Sequence, residues 1–173
     1  MHALPEAIKI YNKYKDEGVR VIGIATAFED YDKNTLDNLK MLAETGEVVG
    51  ETKNALSMYG QLQNGKLSYK IPFPLAMDKL AKTDGKVSED KILQFIYGQI
   101  PEFDSQPEEY RKQIIQRVRD YMKTKEYSAE TFEKFALQGT PSMILVDRKG
   151  ILRDVSFGQS GNVEAMIQKL LNE

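Results

Sequence analysis

The sequence predicts an α/β domain, a mixed sheet flanked by helices, and three stretches carry that prediction. An opening amphipathic pattern runs straight into a β-branched apolar run. A Gly139-Thr140-Pro141 corner is followed by an apolar strand, a tight polar turn and a second strand. Between them, helical periodicity interrupted by glycine and proline fills most of the chain.

Residues 2–18 read as the first helix. Leu4, Ile8, Tyr11 and Tyr14 share one face, and Gly18 stands where a C-terminal cap belongs. Pro5 falls in the first turn, where a missing N–H has no intrahelical carbonyl to lose. Residues 19–25 (Val-Arg-Val-Ile-Gly-Ile-Ala) are short and mostly apolar, the pattern of a strand covered on both faces. A helix feeding such a strand is the second half of a β-α-β unit, and the first half is not in the sequence.

Asn34-Thr35 starts a second helical pattern through Leu36, Leu39, Leu42 and Ala43, ended by Gly46. A shorter helix through Ala55, Leu56 and Tyr59 ends at Gly60. Residues 61–69 are polar, with Asn64-Gly65 as a turn. Pro72 and Pro74 bracket Phe73 and introduce a strand at Leu75-Ala76-Met77, and two prolines place it at a sheet edge.

Residues 79–131 read as a helical insertion within a single domain spanning 1–173. Ser88 caps a helix carrying Ile92, Phe95, Ile96 and Ile100, stopped by Pro101. A second helix, about 108–123, has Tyr110, Ile114, Val118 and Tyr121 as its apolar stripe and a solvated lysine-rich face. A third begins at Ser128 and leads through Phe132, Phe135 and Leu137 to Gly139. Tyrosines 97, 110, 121 and 127 read as half-buried packing residues rather than a ligand cluster.

Pro141 cannot donate a ladder hydrogen bond, so it belongs at the first residue of a strand. Asp147-Arg148-Lys149-Gly150 is hairpin-turn chemistry. The Thr140-Pro141 bond is a candidate cis peptide, an ordinary trans proline opening an edge strand being the alternative. Either way the corner presents the backbone of Thr140 to an incoming chain.

The order of helix with an early proline, strand, Pro72-Phe73-Pro74-Leu75-Ala76-Met77-Asp78, Gly139-Thr140-Pro141, strand, Asp147-x-x-Gly150 turn, strand and closing helix resembles the thioredoxin superfamily. Within it the likeness is to the redoxin and thiol–disulfide reductase branch, over residues 1–27, 72–78 and about 129–173. The resemblance implies a Cys-x-x-Cys motif at the start of the first helix, with a helix proline five positions after the second cysteine. Pro5 matches that proline, and counting back lands one residue before Met1. The redox motif and its strand are therefore expected upstream, and the chain is expected to be truncated just after the motif. His2 would follow the second cysteine, at a helix N-terminus that favours a thiolate; a solvated terminal residue is the bland alternative. Thr140 and Pro141 would align the substrate backbone.

By the same resemblance the absent strand is the first central one, between the strand at 19–25 and the one opened by Pro141. Its loss removes the burial of three or four apolar side chains, roughly 5–10 kcal/mol at about 1.5–3 kcal/mol each. That rivals a domain's whole stability of about 5–15 kcal/mol. A homo-oligomer or an exchanged segment is the expected compensation, since open apolar edges recruit partners.

The implied parent activity is thiol–disulfide oxidoreduction, an antioxidant-type chemistry on a protein or small-molecule disulfide or a peroxide. A thiolate attacks, and a second cysteine resolves the mixed disulfide. The 173 residues contain no cysteine, so the chain as given is expected to be redox-inactive. The alternative is a non-catalytic thioredoxin-like module that binds peptides or proteins.

Composition narrows the rest. At 41% apolar and 29% charged residues the chain has the make-up of a globular domain. A net charge of −2 with interleaved lysines gives no basic field for nucleic acid. No apolar run reaches the length of a membrane span. One histidine and no cysteine argue against a structural zinc site, and the residues call for no cofactor.

Overall fold

Pattern and caps translate directly into helices in the computed structural model, which describes residues 3–26, 30–158 and 162–173. In chain order the elements begin with α1 (Ala3–Tyr14), β1 (Gly23–Ala25), α2 (Leu36–Thr45) and α3 (Gly50–Met58). β2 (Leu62–Gln63), β3 (Lys66–Leu67), β4 (Leu75–Met77) and β5 (Leu80–Lys82) follow. Next come α4 (Glu89–Gln99), α5 (Glu108–Thr124), β6 (Tyr127–Ala129) and α6 (Glu130–Lys134). β7 (Ser142–Val146), β8 (Leu152–Phe157) and α7 (Val163–Leu171) close the chain. The chain divides into two units: residues 1–78 with 138–173, and residues 79–137.

In the first unit, α1 places Tyr14 inward at 3% exposure, packed with Val163 and Ile167 of α7. Ile10, Val19, Met143, Leu145 and Leu171 surround that cluster, so α1 and α7 lie against the same side of β7. A buried phenol needs its hydroxyl satisfied. The Tyr14 hydroxyl donates to Glu164 Oε1 at 2.9 Å and accepts from Gln168 Nε2 at 3.2 Å. Lys13 also pairs with Glu164, which holds the Glu164 carboxyl below its usual range. Gly18, at φ +95°, ends this segment in the left-handed conformation.

β1 pairs in parallel with β4, Gly23 opposite Leu75 and Ala25 opposite Met77. Phe73, just before β4, meets Tyr11 of α1 edge-on, the ring centroids 5.9 Å apart. A Cβ at Gly23 would stand 2.6 Å from Leu75 Cδ2 and 3.4 Å from the Phe73 ring. Gly23 therefore faces α1, and Ile22 and Ile24 face the other way.

Two sequence expectations change here. The strand expected over 19–25 is a ladder only at Gly23–Ala25. It is not covered on both faces: Ile22 is 62% and Ile24 47% exposed. Among the described residues β1 bonds only to β4 and β7 only to β8, so the ladder stays short. The packing from Tyr11 and Phe73 reaches the Gly23 face, while the face of Ile22 and Ile24 stays open.

β7 and β8 are antiparallel, with Ser142 opposite Phe157 and Ile144 opposite Val155. Gly158 N–H donates to the Pro141 carbonyl at 2.9 Å, which makes 141/158, 143/156 and 145/154 the hydrogen-bonded pairs. Ser142 and Ile144 thus turn their backbone groups away from β8. The connecting turn is tied by Asp147 Oδ1, which accepts from the N–H groups of Lys149 and Ile151, each at 2.9 Å.

Thr35 caps α2, its hydroxyl accepting from the Asn38 N–H at 3.2 Å, and Gly46 ends it at φ +76°. Asn64 and Gly65, at φ 52° and 78°, form the two-residue turn of the β2–β3 hairpin.

The second unit is an α4–α5 pair with a short antiparallel ladder of β5 and β6, Leu80 opposite Ala129. Ile92 and Ile96 (1% exposed) and Phe103 (2%) form its core. Ile114, Ile115, Val118 and Met122 of α5 pack on that core. The expected α5 stripe is corrected at its ends: Tyr110 and Tyr121 stay exposed, because the α4 contact runs along Ile114–Ile115, Val118 and Met122. The helix expected from Ser128 is shorter, its first residues being taken by β6.

Candidate functional site

The corner before β7 is built on a close approach. A Cβ at buried Gly139 would lie 2.5 Å from Cε2 and 2.8 Å from Cζ of Phe157, so the ring occupies the space a side chain would need. Ser142 Oγ donates to the Gly139 carbonyl at 2.7 Å and tightens the bend. The Thr140–Pro141 peptide bond is cis. Thr140 and Pro141 are both exposed. Among the described residues, the Thr140 N–H and C=O form no hydrogen bond, so one donor and one acceptor stand open at the head of β7.

Phe157 sits directly across from Ser142 in a non-hydrogen-bonded pair, the closer kind of antiparallel pairing. The small serine leaves the ring free to lie over Gly139. Phe157 nevertheless remains 54% exposed, in line with Val155 on the side of the hairpin turned away from Tyr14. Phe157 is not among the site residues expected from the sequence. Its signal is the alternation Val155-Ser156-Phe157 running up to Gly158, which places an aromatic beside the corner.

Of the other residues expected near a redox motif, Met1 and His2 lie outside the described residues. Pro5 lies in the first turn of α1 and lines an open hollow of about 270 Å³ with Leu56, Gln61, Gln63, Leu67 and Tyr69. Thr140 and Pro141 are not among the residues lining that hollow. Burial pushes the Tyr69 phenol up from its ordinary value.

Asp78, 7% exposed at the end of β4, accepts from Thr26 Oγ1 at 2.8 Å and ties the carboxyl ends of the two parallel strands. Among the described residues no group of three or more histidine, cysteine, aspartate or glutamate side chains could hold a metal ion. No helix there is long and apolar enough to cross a membrane. What the corner can do chemically is pair with a backbone and offer a ring face; the 173 residues bring no thiol to it.

No protein-family model and no curated protein matches this sequence. Among solved structures, it is similar to a thiol-disulfide isomerase from Corynebacterium glutamicum, with a TM-score of 0.54 and 25% identity over 99% of this chain and 71% of that one. A helix feeding the parallel β1–β4 pair, the Thr140–Pro141 corner and the β7–β8–α7 finish agree with that likeness, and the chain is thioredoxin-like in fold.

Proposed function

We propose that this chain is a thioredoxin-like domain of the thiol–disulfide oxidoreductase kind whose own residues dock an extended polypeptide at Thr140 and Pro141 without reducing it. The observation that carries this reading is the open N–H and C=O of exposed Thr140 at the head of a strand. An extended segment passing there gains two backbone hydrogen bonds, the pairing by which peptides add to sheet edges. The similar isomerase supports disulfide-bearing polypeptides as the class of partner.

Reduction needs a thiolate to attack one sulfur and a second thiol to release the mixed disulfide. With no cysteine among the 173 residues, neither step has a nucleophile, and binding is what these residues contribute.

Oxidised insulin B chain is a suitable unfolded probe. Titrated into ¹⁵N-labelled protein, it is expected to shift the Thr140 amide resonance, and the 173 residues are expected to leave insulin disulfides intact in a turbidity assay. An unmoved Thr140 amide at millimolar probe refutes docking, and catalytic insulin reduction refutes the non-reducing role.

A further inference from the structure

We infer that Phe157 is a specificity-determining residue of the docking corner and selects an aromatic or large apolar side chain in the bound polypeptide. The inference rests on the docking reading above and goes beyond it by naming what is read besides backbone.

The ring edge of Phe157 reaches 2.5 Å from the Cβ position of Gly139 and so lies beside the corner. A phenylalanine is ordinarily buried, yet this residue is 54% exposed. Its neighbours extend the apolar strip, with Val155 38% exposed two residues back and Ile144 opposite Val155. No charged side chain interrupts Ser142–Val146.

A strand that hydrogen-bonds to Thr140 alternates its side chains between two faces. On the face turned away from Tyr14, the side chain nearest Thr140 arrives over the Phe157 ring. Aromatic pairs prefer edge-to-face or offset contacts and add to simple burial, so an aromatic there is favoured over a methyl group, and a carboxylate is disfavoured by the negative face of the ring.

Two pentapeptides test this: acetyl-Thr-Thr-Phe-Thr-Thr-amide and its counterpart with alanine at the centre, each titrated into ¹⁵N-labelled protein with the Thr140 amide as readout. The phenylalanine peptide is expected to bind about 3- to 10-fold tighter, the range an aromatic contact supplies. Phe157→Ala is expected to bring that ratio close to 1, and Phe157→Tyr to restore it. Gly139→Ala is a second variant that keeps the ring but forces it off its seat, and it is expected to lower the ratio as well. A ratio that survives Phe157→Ala overturns the inference while docking stands. If neither peptide moves Thr140 in the unaltered protein, the docking reading and the inference fall together.

Discussion

The two units bury their apolar residues in different ways. In residues 79–137 the α4–α5 pair closes over Ile92, Ile96 and Phe103 at 1–2% exposure, with no hydroxyl or charge at the centre of that cluster. In the other unit the central residue is a tyrosine whose hydroxyl must be satisfied by Glu164 and Gln168, while Ile22, Ile24 and Phe157 stay open. In the helical unit the apolar core is tightly buried and local. The sheet-bearing unit leaves strand edges and ring faces unspent, and it is there that the candidate site lies. The difference separates the tightly packed part of the molecule from the part that holds the proposed docking corner.

The largest effect that would test this contrast comes from its two isoleucines. Ile96→Ala is expected to cost about 2–5 kcal/mol in urea denaturation, the range for emptying a tight core site. Ile24→Ser, at a half-exposed position, is expected to cost about 1 kcal/mol or less. Equal losses would break the comparison.

Two glycines sharpen it further. A Cβ at Gly98, within α4, would lie 2.5 Å from the Ala136 Cβ, an atom fixed to the backbone. Gly98→Ala is therefore expected to lose stability, overpacking of about 1–3 kcal/mol outweighing about 1 kcal/mol of helix propensity. Gly139→Ala meets only the movable ring of Phe157 and is expected to cost less than Gly98→Ala in the same denaturation experiment.

The smallest effect is electrostatic. The Ile151 N–H is the largest influence and outweighs the desolvation that opposes it; with the Arg153 guanidinium 3.0 Å away it holds the Asp147 carboxyl below its usual range. A carboxyl depressed in the folded state adds stability that is fully present above its unfolded value, about 4, and is lost as pH falls through the folded value. Thermal melts from pH 6 to 2 are expected to show Asp147→Asn flattening the acid side of the profile. An unchanged slope would exclude Asp147 as a contributor.

Much of the fold was legible because local chemistry decided it. Thr35 and Gly46 bound α2, Ser88 starts α4, Asn64-Gly65 turns a hairpin, and Asp147 to Gly150 turns another. What escaped depends on residues far apart in sequence. Leu80-Ala81-Lys82 and Tyr127-Ser128-Ala129 are too short for alternation to declare a strand, and they pair because the helices between them return the chain. The α5 stripe misplaced two tyrosines, since helical spacing cannot say which of two adjoining faces meets α4. At the candidate site, Thr140 and Pro141 were visible from turn chemistry, whereas Phe157 was hidden in a strand whose alternation alone does not reveal that Gly139 lies beneath its ring.

That seat has an evolutionary consequence. Because one position's ring fills the other's missing side chain, residues 139 and 157 are not free to vary independently. A combinatorial library randomised at both should return bulk at 139 only with a small or displaced residue at 157, so the pair behaves as a single heritable setting for what the corner accepts.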